Sequence, residues 1–458
     1  MTYDDAVRYL LSLGKELASP RQAAAQKFDL RNISVLADRL GNPHRARPCV
    51  HIAGTNGKGS TAAMLDSILR QAGLRTGLYT SPHLVRINER ICVDGEEISD
   101  ADFAETFTRI HAFIEVLLAS GSLPAHPTYF EFLTAMAFDH FARAPVDLVV
   151  YEVGMGGRLD STNVVTPEVA VITQIDFDHE NYLGHSIEQI AAEKAGIIKP
   201  GAWVVSSAER PEARAVIARR AAEQDALLVE VDSAYVLDAV RSEHGCYRAV
   251  ASHLRSRRRV ELALPLPGRY QLRNALTALA AARLMAERGF PIDDAAIARG
   301  IAATRWPGRL ERLQERPAVY LDGTHNPAGA RALLAFWEEN FSGRRIHLVY
   351  GAMRDKAVDE ISGLLFPRAA SVTLTQPRQP RAISAAELAR IAGHFVPPAH
   401  LAVLPEPDEA LEHAIALAAP DDAVFATGSL YLVGDLRRYW LSRPARTPEL
   451  LRAARSAT

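Results

Sequence analysis

The sequence predicts an α/β protein of two domains, each a mostly parallel sheet covered by helices. Three observations lead there. The chain has 458 residues, and single cores stop growing beyond roughly 250–300 residues. Short apolar runs of strand length alternate with longer runs of helical period, the pattern of strand–helix–strand units. The alternation breaks once, at residues 302–313 around Trp306-Pro307-Gly308-Arg309, and then resumes. The expected division is therefore 1–301, a linker at 302–313, and a smaller Rossmann-like domain at 314–458.

In the first part, two N-terminal helical segments precede a buried-strand pattern at 48–53. Further strands are expected at 76–80, 147–153, 169–175 and 203–206. Helical runs at 61–72, 102–119, 130–142, 187–195 and 211–224 lie among them. Residues 235–264 change to polar–apolar alternation, as a small antiparallel appendage would. A long Ala/Leu-rich helix at 271–288 follows. In the second part the strands are 319–322, 346–350, 371–375, 401–404 and 423–427. The helices are 327–340, 357–366, 384–392, 408–418 and 429–441, and the tail after Pro444 is expected to fray.

Composition limits the function. Apolar residues make up 48%, charged residues 23%, and the formal net charge is -2, which leaves no basic footprint for nucleic acid. The cluster Arg255-Ser256-Arg257-Arg258-Arg259 reads as a solvated hairpin turn. Cys49, Cys92 and Cys246 are odd in number and far apart, which disfavours disulfides and zinc and suits a reducing cytoplasm. The N-terminus reads as an amphipathic helix with early acids Asp4 and Asp5, without the basic start and long apolar core of a signal peptide. No stretch has the apolar length of a membrane span.

The segment Gly54-Thr55-Asn56-Gly57-Lys58-Gly59-Ser60 stands between a strand and a helix. Glycines let backbone N–H groups approach phosphates closely, the helix N-terminus adds partial positive charge, and Lys58 adds a full one. The spacing departs from the common G-x-x-x-x-G-K-[ST] pattern. A plain glycine-rich turn with a surface lysine is the competing reading. Glu152 closes an apolar strand and is followed by Gly154, Gly156 and Gly157. Asp322 and His325 stand between a second-domain strand and helix, where ligands gather in such sheets.

Seven further segments accompany this loop: YTSPHLVRINERI from Tyr79, EVGMGGRLDSTN from Glu152, DHENYLG from Asp178, EKAGIIKPG from Glu193, RNALTAL from Arg273, PGRLE from Pro307 and LDGTHNP from Leu321. In this order they resemble the folylpolyglutamate synthase/dihydrofolate synthase branch of the Mur ligase superfamily, over almost the whole chain. The resemblance implies a Mur-ligase-like P-loop ATP-binding domain and a C-terminal glutamate-ligase domain. It implies ATP-dependent amide ligation of L-glutamate to dihydropteroate and to the γ-carboxyl of reduced folates, through an acyl phosphate, by a cytoplasmic monomer.

The resemblance also assigns residues. The loop 54–60 would hold ATP, with Lys58, Asp322 and His325 catalytic. Asn274 would meet adenine, and Arg309 would reach the phosphates as the domains close. Ser81, Glu152, His179 and a carbamylated Lys194 would hold two Mg²⁺ ions. Imidazole is unusual for Mg²⁺, so residue type alone makes His179 a structural or substrate-contacting histidine. Lys194 alone reads as a solvated helix lysine, and only about 0.1% of a free lysine is neutral near pH 7.4. Thr128, Phe130 and Asp160 would line a pterin pocket, although aromatics in such a helix are more often core. Lys356 would help bind glutamate. A monofunctional folylpolyglutamate synthase, another Mur-type ligase and a nucleotide-operated switch are the alternatives. Only about fifty residues precede Gly54, which argues against a cell-wall ligase, and no N-K-x-D motif supports a switch.

Overall fold

The computed structural model describes residues 1–13, 29–123, 125–354 and 356–443. The end of the N-terminal helical run and the tail after Pro444 lie outside the described residues. The chain divides into two units, Met1–Pro307 with Arg331–Asn340, and Gly308–Ala330 with the residues from Phe341 onward.

The first unit is built on an eight-stranded sheet: β1 (Cys49–Ala53), β2 (Thr76–Tyr79), β3 (Ile91–Val93), β4 (Glu96–Glu97), β5 (Leu148–Glu152), β6 (Val169–Ile172), β7 (Trp203–Ser206) and β8 (Leu227–Glu230). The spatial order is β4-β3-β2-β5-β1-β6-β7-β8. The six strands from β2 to β8 run parallel, and β3 and β4 turn back antiparallel at one edge.

Side chains alternate between the faces. Val50, Ile52, Val150 and Val171 join the cluster with the helices Lys58–Gln71 and Tyr270–Glu287. On the other face, Cys49, Val149 and Tyr151 pack with the helices Asp100–Ala119 and Tyr129–Arg143. Ala53, Ala170 and Ile172 meet Ile187–Ala195 and Pro211–Glu223. Burial on both faces is why these strands read as unbroken apolar runs.

The expected appendage is a three-stranded antiparallel sheet: β9 (Tyr235–Glu243), β10 (Cys246–His253) and β11 (Arg259–Leu264). Arg255–Arg259 forms its last turn and the start of β11, with Arg255, Arg257 and Arg258 exposed.

The second unit carries β12 (Glu311–Glu315), β13 (Ala318–Leu321), β14 (Ile346–Tyr350), β15 (Ser371–Leu374), β16 (Leu401–Val403) and β17 (Ala423–Thr427), in the order β12-β13-β17-β14-β15-β16. All pairs are parallel except β12 with β13.

Several elements escaped the sequence reading. Part of the stretch read as a linker, from Glu311 onward, belongs to β12, whose polar residues pair along the sheet edge. β8 is a four-residue edge strand with Leu227 half exposed. The helix Asp294–Ala303 was hidden by Gly300. That glycine allows close packing, since a Cβ there would stand 2.3 Å from Ile68 Cα. Ser67 Oγ donates to Gly300 O at 2.7 Å across the same contact.

All three cysteines are free. Among the described residues no helix is long and apolar enough to cross a membrane.

Candidate active site

The segment 54–60 leaves the carboxyl end of central strand β1, and its last residues start the helix Lys58–Gln71. Gly57 is the N-cap, at φ 88°, a conformation that costs glycine nothing sterically. The neighbouring strand end holds the loop. Thr55 N–H donates to Gln174 O at 2.8 Å, and Thr55 Oγ1 donates to Asp176 O at 2.9 Å. Thr173 Oγ1 donates to Asn56 O at 2.8 Å. A Cβ on Gly54 would lie 1.7 Å from Thr173 Oγ1, and one on Gly57 would lie 2.4 Å from Asn274 Oδ1. Gly59 backs onto Trp306, whose ring atoms are 3.0 Å from a Cβ built there.

Asn274 therefore stands against the loop. Its amide donates to Gln271 Oε1 at 2.8 Å, and Gln271 Nε2 donates to Ser60 Oγ at 3.4 Å. Thr173, Gln174, Asp176 and Gln271 were missed from sequence. The only signal was polar residues closing an apolar strand or opening a helix.

Two lysines converge on the start of the loop. Lys58 Nζ donates to Gly54 O at 2.9 Å and to Thr55 O at 3.2 Å. Lys194 is 4% exposed, and its Nζ also donates to Gly54 O at 2.9 Å. The sequence reading of Lys194 as a solvated lysine is thus corrected. The helix Ile187–Ala195 tucks it inward, against Gly157, where a Cβ would be 3.0 Å from Lys194 Cα.

Glu152 ends β5 beside Ile52 of β1 and is 4% exposed. Ser81, just past β2, donates its N–H to Glu152 Oε2 at 3.2 Å. A serine hydroxyl and a buried carboxylate at adjacent strand ends are hard oxygen donors. They fit Mg²⁺, which keeps several waters and takes one or two protein carboxylates. Among the described residues no group of three or more His, Cys, Asp and Glu forms a ready metal cage. His179 has φ 51° and caps the short helix Glu180–Leu183. Its N–H donates to Asp178 Oδ1 at 2.9 Å.

On the other side of β5, Thr128 and Glu131 form a reciprocal cap. Thr128 Oγ1 accepts Glu131 N–H at 3.2 Å, and Thr128 N–H donates to Glu131 Oε2 at 2.8 Å. Phe130 lies on Gly154, whose Cβ would stand 2.6 Å from Phe130 Cζ. The Tyr79 ring is 6.1 Å from that of Phe130. Asp160 is 7% exposed. Its Oδ2 accepts Met155 N–H at 2.9 Å, and its Oδ1 accepts Thr162 N–H at 3.0 Å and Thr162 Oγ1 at 2.5 Å. Burial raises its pKa above the ordinary carboxylate value, and the Thr162 and backbone hydrogen bonds oppose that rise.

In the second unit, Asp322 follows β13. Its Oδ2 accepts Leu310 N–H at 2.9 Å and its Oδ1 accepts Thr324 N–H at 3.0 Å. His325 Nδ1 is 2.8 Å from Gly323 O. A carbonyl only accepts, so Nδ1 carries a proton. Gly323 N–H donates to Gly308 O at 2.9 Å, and a Cβ on Gly323 would stand 2.1 Å from Arg309 Nη1. Arg309, Asp322 and His325 are thus gathered around one turn. Arg354 instead pairs with Glu387 at 3.0 Å, and Lys356 precedes the helix Val358–Leu365.

The model of the Mur ligase middle domain matches residues 52–282, and that of the Mur ligase glutamate ligase domain matches residues 308–430. A dihydrofolate synthase/folylpolyglutamate synthase of Bacillus subtilis is 36% identical over 425 residues, covering 90% of this chain and 95% of that protein. One of Mycobacterium tuberculosis is 38% identical over 436 residues, 89% of each. Among solved structures, Mycobacterium tuberculosis folylpolyglutamate synthase complexed with ADP and AMPPCP superposes with TM-score 0.85 at 36% identity, covering 96% of this chain and all of that one. Escherichia coli FolC in complex with DHPP and ADP gives 0.83 at 31%, covering 96% and 97%. A two-unit α/β chain with this loop, matched along nearly its whole length, belongs to the Mur ligase family, in its dihydrofolate synthase/folylpolyglutamate synthase branch.

Proposed function

We propose that the chain is a bifunctional dihydrofolate synthase/folylpolyglutamate synthase, an ADP-forming ligase that joins L-glutamate to dihydropteroate and to the γ-carboxyl of reduced folates. The observation that carries this reading is the convergence of Lys58 and Lys194 on the Gly54 carbonyl, with the Ser81–Glu152 pair at adjacent strand ends.

The reaction must bring two anions together. Unit charges 4 Å apart repel by about 4 kcal/mol at an effective dielectric near 20. In this reading the ATP phosphates lie on the N–H groups of residues 54–60. Lys58 turns from its backbone carbonyls to the phosphates and offsets their charge. A carboxylate oxygen of the pterin-bearing acid attacks the γ-phosphorus, the bond to the β-phosphate oxygen breaks, and ADP leaves. The glutamate amine then attacks the acyl carbon. The carbon–oxygen bond breaks, inorganic phosphate departs with the electron pair, and the amine gives up a proton.

Ser81, Glu152, His179 and the carbamate of Lys194 are the residues proposed to hold two Mg²⁺ ions, which when bound supply positive charge among the phosphate oxygens. Asn274 is assigned to adenine. Arg309, Asp322 and His325 are assigned to the phosphates, with Asp322 holding the turn that presents the other two. Thr128, Phe130 and Asp160 are assigned to the pterin, and Lys356 to glutamate. The working form is a cytoplasmic monomer.

The test is ATP-dependent phosphate release with Mg²⁺ and glutamate, run with dihydropteroate and with a reduced folate, and product masses taken. Release with both is expected. Release with the folate alone reduces the enzyme to a folylpolyglutamate synthase, and release with neither sinks the acceptor assignment.

A further inference from the structure

His51 is an unexpected residue in the middle of β1. It is fully buried within a strand whose neighbours are all apolar, on the face it shares with Cys49 and Ala53. Its Nε2 is 2.8 Å from Thr162 Oγ1, which in turn is 2.5 Å from Asp160 Oδ1. A hydroxyl has a single proton to give. Asp160 also accepts the N–H groups of Thr162 and Met155, the surroundings of an anion, so the Thr162 proton points to the carboxylate. Thr162 Oγ1 must then accept from His51, which fixes the Nε2–H tautomer. His51 Nδ1 has no hydrogen-bond partner among the described residues. In that tautomer Nδ1 carries only a lone pair, so no N–H is stranded. Burial first, and the Lys199 charge second, push the His51 pKa down to about 3, so the ring is neutral throughout the working range.

The far end of this chain is the turn after β5. Asp160 Oδ2 holds the Met155 amide, and the preceding residue, Gly154, is the seat of the Phe130 ring. Movement of the Asp160 carboxylate therefore moves the surface on which Phe130 rests.

We propose that His51 and Thr162 are positioning residues for the acceptor side of the site: the relay from His51 through Thr162 to Asp160 fixes the Gly154–Met155 turn under Phe130 and so sets the affinity for the pterin-bearing acid. This rests on the assignment of Phe130 and Asp160 to that acid. Neither His51 nor Thr162 touches substrate in this account.

The experiment compares Thr162→Val, which keeps the shape and loses the hydroxyl, with Thr162→Ser, which keeps it. Steady-state constants for the acceptor and for ATP are measured on the full chain. Thr162→Val is expected to raise the acceptor KM about tenfold and to leave the ATP KM within about twofold, the effect of weakening one charge-assisted hydrogen bond. Thr162→Ser is expected to stay within about threefold of wild type. His51→Leu removes the donor behind Thr162 and is expected to act in the same direction, and it serves if Thr162→Val does not fold. A nitrogen-15 spectrum should show His51 protonated at Nε2 alone and not titrating between pH 7 and 5. Equal rises in both KM values, or a Thr162→Ser variant as poor as Thr162→Val, would overturn the proposal. Phe130→Ala with an unchanged acceptor KM would instead remove the pocket assignment on which it stands.

Discussion

In the proposed reaction, Lys58 and Glu152 divide the chemistry of the loop between charge and coordination. Lys58 donates to the backbone carbonyls of Gly54 and Thr55 within its own loop. Lys58→Ala should lower turnover about a thousandfold, the scale of losing a charge that meets the transition state, with a melting midpoint near wild type. Glu152→Gln keeps an acceptor for Ser81 N–H but loses the charge. The Mg²⁺ concentration for half-maximal rate should rise at least tenfold, and an unchanged requirement removes Glu152 from the metal. His51 gives a pH effect whose sign is fixed. Its folded pKa, about 3, lies below the ordinary value near 6.5. Below pH 6.5 the unfolded chain takes up a proton that the folded chain refuses, so stability falls as pH drops. Between pH 7 and 5 this contribution is about 2 kcal/mol. Denaturant titrations at the two pH values should show a loss smaller by that amount in His51→Leu than in wild type, since His44, also held low by burial at about 4, loses stability in both. At this scale the sequence was partly legible. Glu152 and Asp322 stand at strand ends and Lys58 at a helix start, contexts that sequence alone displays. His51 and Lys194 are set apart by burial, which residue type does not report, Thr173 by the approach that Gly54 allows, and Gln271 by its hold on Asn274.

The strand–loop–helix Cys49–Gln71 works through clearance. Gly54 faces Thr173 Oγ1 with no room for a methyl group. Gly54→Ala must displace the loop or the β6 end, and calorimetry should find nucleotide affinity reduced at least tenfold, about 1.4 kcal/mol. The helix Tyr129–Arg143 begins with the reciprocal Thr128–Glu131 cap. Thr128→Ala should cost about 1 kcal/mol in denaturant unfolding, and Thr128→Ser should recover most of it. The central strands of both sheets were legible because burial on both faces makes them unbroken apolar runs. β3, β4, β8 and β12, at or beside the sheet edges, were not, being short or polar, although the edge strand β16 was. Gly300 hid a helix for the opposite reason, since it reads as a breaker in sequence and serves as a contact in space.

The two units follow from chain length and from two series of alternating elements, and each builds a sheet with its own core. Binding should be visible in the whole chain's stability. A non-hydrolysable ATP analogue at a hundred times its Kd should stabilise the protein by about 2.7 kcal/mol, measured as a shift in denaturant midpoint, and Lys58→Ala should lose most of that shift.

Lys58 and Lys194 share one acceptor, the Gly54 carbonyl, each at 2.9 Å. Two ammonium groups so arranged are at most about 6 Å apart and repel by about 3 kcal/mol at an effective dielectric near 20. A multiply charged anion beside the two would offset that repulsion, and so would a carbamate if dissolved carbon dioxide converted the Lys194 amine. In the proposed reaction the affinity of the loop for nucleotide should then vary with salt and with carbonate as well as with shape.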